Sequence, residues 1–386
     1  MKRGHPIAVP QRGLSLVELL VATSLGVLVV GALGTIFVGN QRSSDLNDAL
    51  VDMQESARFA LGSMARDVRM AGYRGCLDGR NDALTSVALN GPTADLRRTA
   101  ISGAHIQADG QWKPAPQLGV GSSAFTAPAT LAAVTGTDTL AVQYGTNPAR
   151  RLVAAQRIGG EDTPAGPLEV GAPSVNRLGL TAGDFALVTT CEAGEIFTVT
   201  DVSPGGSGAV LIAHGLSGNA TASLAQNYGA EAMREQARVM RLATWVYYIG
   251  DTGRTNEQGD AISSLYQYSL PFDEANNPPI ELIEGVEMMR VRFGMASANG
   301  QLRYVAANDA AFDPTRVKTV QLGLLLVSHD ALADATDSTT YRLAGQAIAP
   351  GTANDAANHR YAADRRVRLA FNTTISVRNR RVSEHE

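Results

Sequence analysis

The chain has 386 residues, 44% hydrophobic and 18% charged, a balance that excludes wholesale disorder. A formal charge of −4 leaves no general basic surface for nucleic acid, and 39 glycines without a three-residue period exclude a collagen-like fibre. Only Lys2, Lys113 and Lys318 among the 33 cations are lysine, a skew to which no function attaches.

Residues 1–13 carry Lys2, Arg3 and Arg12 and no acid, and residues 14–38 then hold one ionisable side chain, Glu18. As a helix that run reaches about 37 Å, enough for a hydrocarbon core of roughly 30 Å. A secretory signal peptide has a shorter apolar region followed by a small-x-small cleavage site, whereas here the plausible cleavage point, Gly13, precedes the run. The basic leader predicts a cytoplasmic N-terminus, with everything after about Asn40 exported to the periplasm.

The helix is expected to continue beyond the membrane. Leu46, Leu50, Met53, Ala57, Leu61, Met64 and Val68 recur every three or four residues, while Asp48, Asp52, Glu55, Arg58, Arg66, Asp67 and Arg69 form a solvated face between them. No proline occurs from Gln11 to Asn90, and the first strong stop is Gly72-Tyr73-Arg74-Gly75-Cys76. The spacing therefore predicts one helix from Leu14 to about Met70.

A carboxylate five residues into a membrane span costs on the order of 2.5–3.5 kcal/mol, so Glu18 calls for a partner. The string Arg12-Gly13-Leu14-Ser15-Leu16-Val17-Glu18 resembles the processing signal of type IV prepilins, with leucine where phenylalanine is usual at the first mature position. The resemblance implies that a dedicated peptidase cuts after Gly13 and methylates the new N-terminus at Leu14. It also implies that Glu18 pairs with the Leu14 amine of a neighbour, while Leu16, Val17, Leu20, Val21 and Leu25 contact other helices. Gln54 to Leu61, Met64 to Tyr73, Gly72 to Cys76 and Arg378-Asn379-Arg380 are similar to PilW-type minor pilins; residues 81–237 match that family only loosely.

The remainder reads as antiparallel sheet. Strands are expected at Asp138–Tyr144, Asp184–Thr190, Glu195–Val202, Ala209–His214, Val239–Ile249, Leu265–Leu270, Glu287–Met295, Val317–Ser328 and Arg366–Val377. In two of them apolar residues alternate with arginine, Met289, Val291 and Phe293 against Arg290 and Arg292, and Val367, Leu369 and Phe371 against Arg366 and Arg368. That pattern predicts one packed face and one wet face. Pro114–Thr130, Pro164–Pro173 and Pro204–Gly208 read as loops. No βαβ rhythm is present, which argues against a doubly wound nucleotide fold. The fold class is α+β and type IV pilin-like: a leader at 1–13, a transmembrane half-helix at 14–39, an amphipathic half at 40–72, and a β-rich head at 73–386.

Cys76 and Cys191 are the only cysteines, both on the exported side, where a disulfide between them is expected and two unpaired thiols are the other reading. The six histidines are scattered without metal-ligand spacing, and neither a nucleophile elbow nor a phosphate loop occurs, so no metal, cofactor or catalytic residue is expected. The family resemblance implies a non-enzymatic minor pilin that primes pilus assembly and sits at or near the fibre tip. Its expected partners are other minor pilins and the major pilin, the prepilin peptidase, the inner membrane and the assembly platform. The rivals are a minor pseudopilin of type II secretion and a periplasmic enzyme or binding protein on a simple anchor.

Overall fold

Leu16–Met70 form one helix, α1, beginning two residues inside the expected start and ending where expected. The computed structural model describes residues 15–77, 84–89, 91, 95–115, 129–146, 148–206, 208–270, 275, 277–297, 299–351 and 360–379. Ser15 caps α1, its Oγ accepting from the Glu18 backbone N–H at 3.2 Å. The helix stops at Gly72, whose φ of +77° is open to glycine at little cost, and whose N–H donates to Gln143 O at 2.9 Å.

The chain divides into two compact units, Met1–Asp52 and Met53–Glu386. In the first, every side chain from Ser15 to Asp45 is exposed. The hydroxyls of Thr23, Ser24 and Thr35 donate to carbonyls one turn back, on Leu19, Leu20 and Ala32, so they need no water. Among the described residues, α1 is the helix long and apolar enough to cross a membrane, by length and composition.

In the second unit Met53, Ala57, Ala60, Met64 and Val68 bury one face of α1, with Leu61 half-buried. The alanines lack bulk beyond Cβ and let the helix lie close to its neighbours. Asp67, expected on the solvated face, is buried instead.

The largest sheet runs in the order Leu84–Ser86, Gly194–Thr198, Phe185–Thr189, Arg238–Thr255, Asp138–Gly145, Ile101–Ile106, Trp112–Lys113. Ala261–Ser269 also pairs with Arg238–Thr255, and Ile280–Glu284 continues outward from it. A second sheet orders Leu302–Val305, Val286–Ala296, Val317–Val327 and Arg368–Ser376. A third orders Asp201–Pro204, Ala209–Ala213 and Leu168–Gly171.

All nine expected strands are present with shifted ends, and one divides. Glu195–Val202 becomes Gly194–Thr198 and Asp201–Pro204, which belong to different sheets. Leu168–Gly171 is a strand inside an expected loop. Among the described residues pairing is antiparallel except that Leu84–Ser86 runs parallel to Gly194–Thr198, and Gln346–Gly351 parallel to Arg360–Ala362.

Of the four arginines expected on wet faces, Arg292 is half-buried and the other three are buried. Arg290 and Arg368 are fully buried and Arg366 nearly so, each held by carboxylates. Asp138, on the largest sheet, accepts from Arg290 Nη1 at 3.2 Å, from the Val291 N–H at 2.9 Å and from His105 Nδ1 at 2.8 Å. This one carboxylate ties the first two sheets together. Gly103 lets them approach: a Cβ there would fall 2.5 Å from Thr139 O and 2.9 Å from the Phe293 ring.

Glu195 shows how a head of this kind stores a pH dependence. Its side chain is buried, Oε2 accepts from the Ala225 N–H at 2.7 Å, and burial raises its pKa. A carboxyl whose folded pKa is raised stabilises less as pH climbs above its unfolded value near 4.3. Glu195→Gln keeps the acceptor and removes the charge. In thermal melts it should raise the melting temperature at pH 7 by about 2 °C, with the difference vanishing near pH 4. A variant less stable than the parent at pH 7 would show that the ionised form is accommodated.

Candidate assembly site

The first turns of α1 gather the expected assembly residues. Leu16, Val17, Leu20, Val21 and Leu25 are all more than half exposed, and Glu18 lies exposed among them. Gly13 and Leu14, the expected processing residues, lie outside the described residues.

Ser15, which the processing-signal motif passes over, caps the helix. Ser15-Leu16-Val17-Glu18 is an S-x-x-E pattern, in which the serine and glutamate of a helix start serve each other's backbone N–H groups. The serine half of that exchange is present. Glu18 thus stands at the start of its own helix, exposed among the apolar residues of the first turns.

The other end of α1 is fastened from several directions. Asp67 accepts from the Tyr144 hydroxyl at 2.8 Å through Oδ1 and from the Tyr247 hydroxyl through Oδ2. Gln267 Nε2 donates to Tyr247 Oη at 2.8 Å, completing the line. Burial raises the Asp67 pKa against the two phenol donors, and burial together with the Asp67 charge raises both tyrosines.

Gln143 holds the next turn. Its carbonyl takes the Gly72 N–H, while its amide bridges Thr99 Oγ1 and Thr244 Oγ1, both at 2.7 Å. Asn379 reaches α1 from the far end of the sequence, donating from Nδ2 to Arg69 O at 3.1 Å and Met70 O at 3.2 Å. Met70 O also takes the Tyr73 N–H at 2.8 Å, and Asn379 adds a second donor there and reaches Arg69 O, acting as a side-chain cap on the last turn. Of the similar stretch Arg378-Asn379-Arg380, Asn379 has this capping task, and Arg380 lies outside the described residues.

The helix then leads directly into a covalent link. Cys76 and Cys191 form a disulfide across 115 positions, as expected, with Cys191 in the turn between Phe185–Thr189 and Gly194–Thr198. Thiol labelling of denatured, unreduced protein should find none, and reduction should expose two. Labelling before reduction would show that the bond does not form in the exporting cell.

Comparison with known proteins meets the sequence reading at this end of the chain. Residues 246–379 match the family model PilW, described as Type IV pilus-assembly protein W. The PilW resemblance is therefore shown over this C-terminal region, whose last matched residue is the cap Asn379. The chain is also similar in structure to the type IV-like pilin TTHA1219 from Thermus thermophilus. That likeness has 16% identity and covers 52% of this chain and 86% of the other, with a TM-score of 0.21. A score that low leaves the fold class to rest on the apolar helix and the β-rich head themselves. No curated protein matches the chain.

Proposed function

We propose that the chain is a minor pilin of a type IV pilus, a structural subunit that helps prime assembly and stands at or near the fibre tip. The observation that carries this reading is where the PilW match ends: on Asn379, which caps a helix whose opening turns are apolar and exposed. A helix that begins without intramolecular cover needs other helices, or lipid, around it.

The steps follow from the residues. The prepilin peptidase cuts between Gly13 and Leu14. Residues 14–39 hold the subunit in the inner membrane, with the head in the periplasm, where Cys76 and Cys191 oxidise. The assembly platform then lifts the subunit. Leu16, Val17, Leu20, Val21 and Leu25 exchange lipid for the helices of neighbouring minor pilins and major pilin, and Glu18 meets a neighbour's Leu14 amine. Each buried charge relieves the desolvation of the other.

Processing provides the test. Gly13→Val should block cleavage, because the peptidase must fit the backbone closely there, and the protein should keep its 13-residue leader with or without the enzyme. Cleavage unchanged in Gly13→Val would overturn the prepilin assignment. Affinity purification of the tagged parent should recover other pilus subunits, and recovery of secretion-system components instead would move the chain to a pseudopilus.

A further inference from the structure

The strand Ile101–Ile106 leaves part of its outer edge open. Its even-numbered residues serve Asp138–Gly145: the Ile106 N–H donates to Thr137 O at 2.9 Å, and Ala100 O, just before the strand, accepts from the Gln143 N–H at 2.9 Å. The odd-numbered residues turn their N–H and C=O groups the other way. On that side the Gln107 N–H meets Gln111 O at 2.8 Å and His105 lies opposite Lys113, where pairing stops. Gly103, next in line, is buried and has no strand residue opposite it on that edge. A buried N–H and C=O in that position call for a partner that offers both an acceptor and a donor. Beside them lies a cavity of about 480 Å³, lined by Ser102 and Gly103, by Lys113 and Pro114, and by Ala307 and Phe312 from another loop. The Ser102 Oγ is buried without a hydrogen-bond partner among the described residues. The half-buried Phe312 ring leans on Phe293, centroids 4.7 Å apart. Lys113 is exposed, and no ion pair among the described residues reaches it. Asp309, also on the rim, has Oδ1 occupied by the Ala311 N–H at 2.9 Å.

We infer that this edge binds the C-terminal segment of a partner protein, added as a short strand parallel to Ile101–Ile106 with its terminal carboxylate at Lys113. The open backbone selects a peptide, because main-chain groups opposite Gly103 supply the missing acceptor and donor together. The cavity is large enough for a few extended residues. Charge selects the direction. An added strand takes up the line where Trp112–Lys113 leaves off, so one of its ends abuts Lys113. An antiparallel strand would have to begin there, setting its terminal ammonium against the lysine. A parallel strand ends there, and carboxylate meets cation. The last side chain, opposite Gly103, lies on the glycine's own face of the sheet, beside the cavity wall at Phe312, and is therefore apolar. This inference does not depend on the pilin reading, since every residue of the site belongs to the head.

Fluorescence anisotropy with the full-length protein in detergent tests it. The probes are short labelled peptides ending in Ala, Val, Leu or Phe, each made with a free C-terminal carboxylate and again as the C-terminal amide. The best free-acid peptide should bind at least about tenfold more tightly than its amide. Lys113→Gln should erase that preference, weakening the acid about tenfold and leaving the amide unchanged, while Lys113→Arg should keep it. Lys113 is exposed, so neither variant disturbs the fold. Equal binding of acid and amide by the parent would overturn the carboxylate contact and with it the direction of the strand. No binding by any of the four acids at about 1 mM would overturn the site. Binding that appears only after residues 380–386 are removed would assign the edge to the chain's own end, and the partner proposal would fail.

Discussion

Replacing Arg368 with leucine is expected to lower stability by about 3–5 kcal/mol, the usual effect of removing one member of a buried ion cluster. At roughly 2 °C per kcal/mol for a head of this size, the melting temperature should fall by about 6–10 °C. The Arg368 guanidinium is fully buried and makes a two-point contact with Glu287, Nε to Oε2 at 2.7 Å and Nη2 to Oε1 at 3.0 Å. It also reaches Asp364 at 2.8 Å and Asp337 at 3.6 Å, donates to the carbonyls of Ala362 and Arg366, and lies over the Tyr361 ring at 4.6 Å. Arg366 shares Glu287 and Asp364 with it. Without Arg368, three carboxylates would be left around one cation.

The pH behaviour separates lost charge from lost packing. Burial works against the ionised form of Asp364, but hydrogen bonds from Arg368 and from the Arg366 backbone outweigh it, and the carboxyl sits below its ordinary value. A depressed carboxyl stabilises above its unfolded pKa and loses that contribution as pH falls through the folded one. The parent should therefore weaken in acid, at pH values below about 4. In Arg368→Leu the same acidification neutralises carboxylates that now repel, so the gap between variant and parent should narrow. Arg368→Lys should recover little, because one ammonium cannot reproduce a planar two-point contact. A variant whose deficit is unchanged from pH 7 to pH 4 would point to packing alone.

The same cluster marks where sequence reading stopped. Alternation of apolar residue and arginine located the strands ending in Met295 and Val377, since a period of two survives whatever the arginine faces. It could not tell water from a nest of carboxylates, because Glu287, Asp337 and Asp364 lie up to 81 positions from Arg368. Asp67 was misplaced for the same reason: it looks like one more charge on a solvated stripe, and its tyrosine partners lie 77 and 180 positions away. The length of α1 was legible because its causes are local, an unbroken apolar run, no proline, and a glycine at the stop. The S-x-x-E start of the helix is equally local. Nothing local announces that Leu84–Ser86 pairs in parallel, as its partner begins 110 positions later.

The largest expected effect on function falls at Glu18, and the two roles proposed for it are separable by choice of substitution. In a helix that only anchors, Glu18→Ala removes a costly carboxylate from the apolar phase and improves insertion by a few kcal/mol at most, leaving the head unaffected. In a helix that assembles, the same change leaves a neighbour's Leu14 amine uncompensated in an apolar bundle, a loss of about 3–5 kcal/mol that is more than 100-fold in subunit affinity. The expected result is that Glu18→Ala is inserted and cleaved, yet fails to co-purify with other minor pilins, and surface pili are lost. Glu18→Gln decides between charge and capping. Glutamine can supply the side-chain half of an S-x-x-E exchange as glutamate can, but carries no charge to meet the amine. If Gln behaves like Ala, the ion pair is what assembly needs. If Gln restores piliation while Ala abolishes it, the capping exchange is what matters and Leu14 finds its counter-charge elsewhere. Normal piliation and partner recovery in both variants would remove Glu18 from the interface and return the helix to the role of an anchor.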